Sequence, residues 1–183
     1  MDYSITNLSE YLEAFGEENY NKLVADFFCV KDPEIESYIK RTALDHNNKA
    51  LSRTYLLISD DNKLLAFFTL ALKSLDLAEQ VSPTQRKKLT GSQTNDMKHI
   101  PTFLIGQLGK NSAIAKKDSV SGKELLQIAI NTIRRAYNLV GGRMILVECS
   151  QTEFLIRFYE THGFVRYNID HTDGLLRYIQ KIS

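Results

Sequence analysis

The pattern of apolar and polar positions divides the first half of the chain into helices followed by two strands. Short amphipathic helices are predicted for residues 7–13 and 19–28, and a third helix is predicted to begin at Pro33 with Asp32 as its N-cap. Nearly continuous apolar runs at residues 55–59 and 64–72 predict a hairpin whose turn is the polar stretch 60–63. Because both runs are apolar throughout, we expect the sheet to be covered on both faces.

The second half predicts a strand, a long helix, a strand, a helix and a closing hairpin. The polar stretch 78–98 is expected to be a loop with one helical turn, and residues 109–121 an irregular loop. Strands are predicted at 100–108, 144–149, 164–168 and 175–179, and helices at 122–137 and 152–161. The unit from residue 100 to 149 should be parallel and right-handed. This order predicts an α+β fold, with a single mixed central β-sheet flanked by helices on both faces.

Length, composition and charge narrow the classes of protein. The 183 residues predict one domain, 1–183, and an apolar fraction of 43% is enough for a proper core. A net charge of +1 argues against a global field that attracts nucleic acid, although a local basic patch would suffice for RNA. The chain lacks both an apolar run of the roughly 20 residues that span a bilayer and an apolar signal core. We therefore expect a cytoplasmic protein without membrane contact.

The two cysteines do not follow a metal-binding or disulfide pattern. Cys29 and Cys149 lie far apart, in apolar surroundings and without the paired spacing of metal ligands. We predict two free reduced thiols and no metal site.

The most specific local pattern lies near the C-terminus, where a helix is expected to stop at Gly163 with positive φ and a strand to restart at Phe164. The segment reads Phe158-Tyr159-Glu160-Thr161-His162-Gly163-Phe164. It resembles the F-Y-x-x-x-G-F motif of the GCN5-related N-acetyltransferase superfamily, whose members use acetyl-coenzyme A. With the order of elements, the resemblance extends over nearly the whole chain.

The N-terminal half resembles the branch of that superfamily formed by the acetyltransferases of toxin–antitoxin pairs. The segments that carry this resemblance are Phe28-Cys29, residues 35–43, Ser52-Arg53-Thr54-Tyr55, Ala66-Phe67-Phe68-Thr69-Leu70 and Ile105-Gly106-Gln107-Leu108. Ala66 stands where the branch has glycine, and two phenylalanines stand where it has tyrosines. The resemblance implies the α-amine of an aminoacyl-tRNA as acceptor and an antitoxin as partner. It leaves the oligomeric state open, with a homodimer among the options.

The loop expected to hold the coenzyme pyrophosphate departs from the superfamily pattern Q/R-x-x-G-x-G/A. Here it reads Lys117-Asp118-Ser119-Val120-Ser121-Gly122, and only the last glycine fits. Val120 makes a positive φ costly there, but the N–H groups of a helix N-terminus can still bind an anion. Lys116 could add charge. The coenzyme-binding residues implied by the resemblance are Leu108, Gly109, Lys110, Lys117, Val120, Ser121, Gly122 and Lys123. The alternative is a helix N-terminus with solvated lysines and no ligand.

The resemblance also suggests where the chemistry takes place. Backbone N–H groups at Leu108, Gly109 and Lys110 would polarise the thioester carbonyl, although Gly109 fits a simple strand end equally well and the Lys110 side chain is expected in solvent. Tyr159 is the candidate acid for the leaving thiolate, because a phenol with a pKa near 10 can donate late in the reaction. With Phe158 packed inward, the Tyr159 hydroxyl should be free, near the ends of strands 100–108 and 144–149. The alternative is a half-buried core tyrosine.

The general base and the acceptor are not identified by the sequence. Glu148 could act as the base, directly or through water, or could be a paired strand carboxylate. The four histidines, His46, His99, His162 and His171, are expected at the surface. The dense basic clusters that could attract tRNA are Arg86-Lys87-Lys88 and Lys116-Lys117.

Two classes of function follow. The leading one is an acetyl-CoA-dependent N-acetyltransferase that acetylates a primary amine, either the α-amine of an aminoacyl-tRNA or a small-molecule or protein amine. The alternative is a non-catalytic module that binds acyl-CoA or a protein partner, which the altered pyrophosphate loop supports. Release of free thiol from acetyl-CoA in the presence of amines separates the two.

Overall fold

The computed structural model describes residues 2–77, 82–91, 97–167 and 174–182. Strands and helices alternate along the chain in an α+β order. They are β1 (Tyr3–Asn7), α1 (Leu8–Ala25), α2 (Pro33–Ser37), a π-helical turn (Tyr38–Thr42), α3 (Ala43–Asn48), β2 (Arg53–Ser59), β3 (Leu64–Asp76), α4 (Pro83–Thr90), β4 (His99–Lys110), α5 (Gly122–Val140), β5 (Met144–Cys149), α6 (Glu153–Thr161), β6 (Val165–Tyr167) and β7 (Leu176–Lys181).

The strands form one mixed seven-stranded sheet in the order β1-β2-β3-β4-β5-β7-β6. β4 and β5 are parallel, with Thr102 opposite Met144 and Ile105 opposite Val147. The pairs β1–β2, β2–β3, β5–β7 and β6–β7 are antiparallel. The predicted α+β fold with a single mixed sheet is therefore confirmed, and so is the parallel pairing of the strands on either side of the long helix.

The contacts divide the chain into two compact units. The first unit contains Met1–Ala71 and Gly106–Asn131, and the second contains Leu72–Ile105 and Thr132–Ser183. Strands β3 and β4 each contribute residues to both units. The core of the first unit is formed by apolar side chains of α1, α2, the π-helical turn and α3 against those of β2 and β3. The core of the second unit includes Ile100, Met144, Leu146, Tyr167 and Ile179.

The N-terminal region differs from the sequence-based prediction in two ways. β1 was not predicted, because its five residues are only partly buried and lack a clear alternation. The two predicted short helices form one element, α1, which is kinked at Gly16 with φ 79° and ψ 167°. The predicted cap of the next helix is confirmed, since the Asp32 carboxylate accepts a hydrogen bond from the Glu34 N–H at 3.1 Å.

The polar stretch after β3 contains more helix than predicted. α4 spans eight residues, Pro83–Thr90, and its Leu89 is buried in the core of the second unit. Burial of this one apolar residue anchors an otherwise polar segment, which hydropathy alone does not reveal. Residues 78–81 and 92–96 of the predicted loop, and residue 168 of the predicted strand, lie outside the described part of the chain.

Candidate functional site

The C-terminal end of α6 is closed by backbone hydrogen bonds. Gly163 has φ 83°, as predicted for its position just after the helix. The Gly163 N–H donates to the Glu160 carbonyl and the Phe164 N–H donates to the Tyr159 carbonyl, both at 3.1 Å. This pair of bonds is a Schellman motif, which satisfies two of the helix's last carbonyls and holds the Tyr159 backbone in place.

Tyr159 is the buried residue of α6, with 7% of its surface exposed. The centroid of its ring lies 5.6 Å from the ring centroid of Phe164, 6.0 Å from that of Tyr178 and 5.2 Å from that of Phe158. The prediction that Phe158 packs into the core is wrong, because Phe158 is only half-buried and Tyr159 is the buried residue of the helix. The contact between Tyr159 and Phe164, which the Schellman motif brings together, turns Tyr159 toward the core instead.

The Tyr159 hydroxyl makes no hydrogen bond to any residue that the structure describes. Burial raises the pKa of this phenol above its ordinary value of 10.0, and the nearby Cys149 thiol adds to the rise. The pKa of Cys149 is itself raised by burial, from 9.0 to about 11. Tyr159 is therefore a protonated donor whose proton is not shared with a described protein acceptor.

Glu148, the candidate base on β5, is a paired carboxylate. Its Oε2 accepts from Lys73 Nζ at 2.6 Å and its Oε1 accepts from Arg177 Nε at 2.7 Å. Only 13% of its side chain is exposed. Two cations pair with the carboxylate, so the structure favours the ion-pair alternative over a free base.

The histidines differ in their surroundings. His99 is exposed, as predicted, and pairs with Asp76 at 2.6 Å. His46 and His162 are half-buried rather than at the surface. His162 Nδ1 lies 2.6 Å from the Phe158 carbonyl, and His46 Nδ1 lies 3.5 Å from the Tyr38 hydroxyl. These contacts within and between helices explain the burial. His171 lies outside the described residues.

The end of β4 in the first unit is shaped by its glycines. A Cβ on Gly109 would lie 2.3 Å from the Phe67 ring and 2.7 Å from Ile35, so these side chains already fill that space. Gly109 is thus required by the packing of the protein itself. Leu108 and Lys110 are half-buried, so the Lys110 side chain is less exposed than predicted.

The regular alternation of β4 is interrupted between Gly106 and Gly109. The Cβ position of Gly106 faces Thr69, and that of Gly109 faces Phe67. Thr69 and Phe67 are two residues apart on β3 and therefore point to the same face. Residues three apart cannot share a face in a regular strand, so the backbone at Gln107 and Leu108 departs from the ladder pattern. Such irregularities can redirect backbone N–H groups beside functional sites.

The N-terminus of α5 is capped only in part. Ser121 Oγ accepts from the Glu124 N–H at 3.1 Å, and the Ser121 carbonyl accepts from the Leu125 N–H at 3.0 Å. The N–H groups of Gly122 and Lys123 have no acceptor among the described residues. Val120 is buried, and no residue from 117 to 121 has positive φ. Two N–H groups at this positive end of the helix are therefore available to an anion.

The charges around this helix end oppose one another. Lys116, Lys117 and Lys123 are exposed and form no ion pair within the described part of the chain. Glu124 is in the first turn of α5 and accepts from the Tyr3 hydroxyl at 2.6 Å. Burial and this hydrogen bond raise the pKa of Tyr3 to about 12. The lysines attract an anion. The Glu124 carboxylate stabilises the N-terminus of α5 but repels an anionic ligand.

The basic cluster on α4 offers two exposed cations. Lys87 and Lys88 are exposed, whereas Arg86 is half-buried and its Nη1 donates to the Met97 carbonyl at 2.8 Å.

Both cysteines are free thiols. Among the described residues there is no group of His, Cys, Asp or Glu side chains that could hold a metal ion, and no helix long and apolar enough to cross a membrane.

A polar pair on β2 and β3 was missed by the sequence reasoning. Thr54 and Thr69 lie directly opposite each other across the two strands. Both are buried, at 0% and 3% exposure. The available signal was that Thr54 and Thr69 both lie in segments that resemble the toxin branch, but the resemblance does not show that the two residues face each other.

The comparisons with known proteins rest on structure. No family model matches the chain, and no curated protein matches it by sequence. The AtaT toxin in complex with acetyl-methionyl-tRNAfMet has a TM-score of 0.71 and 19% identity, over 96% of this chain and 94% of that one. A tyrosine-to-phenylalanine mutant of KacT has a TM-score of 0.73 and 20% identity, over 98% and 95%. A mutant AtaT toxin bound to acetyl-CoA and the C-terminus of the antitoxin AtaR has a TM-score of 0.70 and 16% identity, over 100% and 94%. The chain therefore has the fold of the AtaT and KacT toxins.

Proposed function

We propose that this chain is an acetyl-CoA-dependent N-acetyltransferase whose acceptor is a primary amine. The fold extends over 96% of the chain in a toxin solved with acetyl-methionyl-tRNAfMet, and over the whole chain in one solved with acetyl-CoA. The product in the first of these complexes carries its acetyl group on a methionyl-tRNA. We therefore propose the α-amine of an aminoacyl-tRNA as the first acceptor to test, with small-molecule and protein amines next.

The observation that carries the proposal is the buried Tyr159 hydroxyl without a hydrogen-bond acceptor in the described protein. Acetyl transfer expels the coenzyme as a thiolate, which must gain a proton. The Tyr159 phenol is protonated, buried and without a hydrogen-bond acceptor in the described protein. The buried Cys149 thiol, with its pKa raised to about 11, indicates that these surroundings also raise the pKa of a thiol. Burial makes the phenol a weaker acid, but it also makes a thiolate in the same surroundings a stronger base, and this second change favours passage of the proton from Tyr159 to the thiolate.

The coenzyme pyrophosphate is proposed to bind at the N-terminus of α5. The N–H groups of Gly122 and Lys123 are available there, and three exposed lysines add positive charge. In the first unit, the irregular backbone at Gln107 and Leu108 is the proposed source of N–H groups for the thioester carbonyl.

The amine must reach the thioester in its neutral form. Glu148 is held by Lys73 and Arg177 and is therefore a poor candidate for removing the proton. We propose instead that the acceptor loses its proton to water before it reacts.

The partners implied by the fold are proposals as well. The similar structures include a mutant AtaT bound to the C-terminus of the antitoxin AtaR and a KacTA complex with DNA. For this chain we propose an antitoxin partner. Lys87 and Lys88 on α4 are the exposed cations proposed to contact tRNA phosphates.

The test compares two tyrosines whose rings stack 6.0 Å apart. Tyr159→Phe removes a hydroxyl that has no described partner, and Tyr178→Phe removes one that donates to Glu160 Oε1 at 3.2 Å. Free thiol released from acetyl-CoA is measured with aminoacyl-tRNA, methioninamide and a lysine peptide. If Tyr159 is the acid, its variant should lose turnover by roughly 10²–10⁴. The Tyr178 variant should keep most of its turnover.

The second candidate is a non-catalytic module that binds acyl-CoA or a protein partner. Buried Val120, the lack of positive φ from 117 to 121, and the Glu124 carboxylate at the helix end favour it. No thiol release from wild type with any of the three amines, together with measurable acetyl-CoA binding, would support this module and contradict the enzyme.

A further inference from the structure

Two buried threonines lie side by side in the first unit, and the Thr54 hydroxyl is itself a buried atom without a hydrogen bond. Thr54 is 0% exposed, and its Oγ1 has no partner. Thr69, directly opposite on β3, is 3% exposed, and no described residue is bonded to its hydroxyl. Burying a hydroxyl without a partner costs free energy, so such groups are uncommon in folded proteins and often mark a site that is completed by a ligand or water.

A gap lies beside this pair on the next strand. Gly106 of β4 is half-buried, and a Cβ built on it would meet only Thr69 Oγ1, at 3.0 Å, within 4 Å in the described structure. The missing side chain therefore leaves a slot whose floor is Thr69. Thr54, Thr69 and Gly106 occupy three consecutive strands, and we call them the threonine slot.

An aromatic wall stands next to the slot. Phe67 is two residues before Thr69 and shares its face of β3. The Tyr38 ring stacks on Phe67 with 6.3 Å between centroids and 5° between planes. The Tyr38 hydroxyl is held by Ser52 Oγ at 3.0 Å. Tyr38 begins the π-helical turn, an uncommon element that is often found at functional sites.

We propose that the threonine slot binds the amine of the acyl acceptor. The proposal rests on the proposed function and names the acceptor subsite. Side chains of residues directly opposite in an antiparallel pair start about 4.5–5.5 Å apart, which a single nitrogen can bridge. A neutral primary amine has two N–H donors for the two hydroxyl oxygens, and its lone pair remains free to react. No residue of the slot is charged, so the slot favours the neutral amine over its ammonium form. The half-buried Tyr38 ring, which Phe67 supports from the core, is suited to contact the carbon chain attached to that amine.

The experiment measures binding of methioninamide to the full chain by calorimetry, with the same amide lacking its α-amine as a second probe. Thr69→Val and Thr54→Val keep the shape of threonine and remove one hydroxyl each. Gly106→Ala narrows the slot, and Thr69→Ser keeps the hydroxyl. Thr102→Val is the matched control, because Thr102 is equally buried but its hydroxyl donates to the Lys73 carbonyl at 2.7 Å.

We expect each valine variant of the slot to bind methioninamide roughly tenfold more weakly, as is typical for a lost hydrogen bond. Gly106→Ala should weaken binding as well, Thr69→Ser should restore it, and Thr102→Val should leave it unchanged. The amide without an amine should bind poorly to wild type. In melting experiments, Thr54→Val should keep or raise Tm because it removes an unsatisfied group, whereas Thr102→Val should lower Tm.

Two results would overturn the proposal. If both valine variants bind methioninamide like wild type, the slot holds water only. If wild type does not bind methioninamide, the slot is not an amine site. Neither result depends on turnover, so failure of the threonine slot can be distinguished from failure of the proposed function. Methioninamide binding that depends on Thr69, without thiol release, would support the threonine slot and contradict the proposed enzyme. Thiol release with an unchanged KM in Thr69→Val would support the enzyme and contradict the slot.

Discussion

The two helix ends proposed to take part in catalysis differ in how their backbone groups are satisfied. At the C-terminus of α6, two backbone bonds and the buried ring of Phe164 close the helix. At the N-terminus of α5, one serine satisfies one N–H group, and those of Gly122 and Lys123 remain available. The closed end fixes the position of a side chain, Tyr159. The open end gives up part of its own stabilisation and retains N–H groups for a ligand.

The comparison shows that a helix end has two uses that exclude each other. Backbone groups satisfied within the protein add stability and precision, whereas groups left open can bind an anion. Substitutions at the closed end should therefore appear mainly in the free energy of unfolding, and substitutions at the open end mainly in ligand affinity.

The largest effect is expected from Phe164→Ala at the closed end. Phe164 is 3% exposed and packs on Tyr159. Removing a buried phenylalanine ring should lower the free energy of unfolding by about 3–5 kcal/mol, measured by urea denaturation. Phe154→Ala, on the same helix but 65% exposed, is the control and should cost less than about 1 kcal/mol. Equal losses for the two variants would mean that the closed end does not depend on this contact.

A smaller effect on the free energy of unfolding is expected at alkaline pH, because the Cys149 thiol is buried near Tyr159 at the closed end. Cys149 keeps its proton in the folded state up to a pKa of about 11, against 9.0 ordinarily. Its contribution to stability is therefore present below pH 9 and is lost as pH rises from 9 to 11. The full loss is at most roughly 2–3 kcal/mol.

The measurement is urea unfolding at pH 8 and pH 10.5 for wild type and Cys149→Ala. Wild type should lose more stability than the variant over this interval, because only wild type loses the contribution of Cys149. The contributions of the tyrosines are common to both proteins and cancel in the comparison. An identical loss in the two would show that Cys149 is not kept protonated by burial.

A substitution of the capping glycine should have a still smaller effect. Gly163→Ala places a Cβ on a residue with φ 83° and 3.0 Å from Gln180 Nε2. The left-handed conformation should cost about 1–2 kcal/mol of unfolding free energy. Gly163→Asn should cost less, since asparagine adopts this conformation more readily. If alanine is as stable as glycine in thermal unfolding, the cap does not require positive φ.

The smallest effect is expected at the open end. Gly122→Val should weaken acetyl-CoA binding by about threefold to tenfold in calorimetry, because a β-branched side chain crowds the N–H groups that face the pyrophosphate. Stability should change little. Gln127→Val, exposed on the same helix, is the control and should bind normally. Unchanged affinity in Gly122→Val would remove the pyrophosphate from this helix end.

Local patterns predicted more of this molecule than long-range contacts did. Gly163 and Asp32 were identified because a helix end is decided by neighbouring residues. β1 was missed because its strand character depends on pairing with residues of β2 that lie 48 to 56 positions further along the chain. For the candidate site, Tyr159 was identified from its motif, but its burial depends on Phe164 and Tyr178. Glu148 could not be assigned until Lys73 and Arg177 were seen beside it.

The kink at Gly16 has a consequence for how α1 forms. It divides the helix into segments 8–15 and 17–25, each shorter than the roughly 12–15 residues at which an isolated helix becomes even marginally stable in water. Helix nucleation must therefore occur twice, and neither segment can propagate into the other. Both segments depend on the buried side chains that join them to the first unit's core, among them Leu8, Tyr11, Tyr20 and Leu23. A peptide containing α1 alone would be mostly coil, and its helix content is a property of the folded unit rather than of the segment.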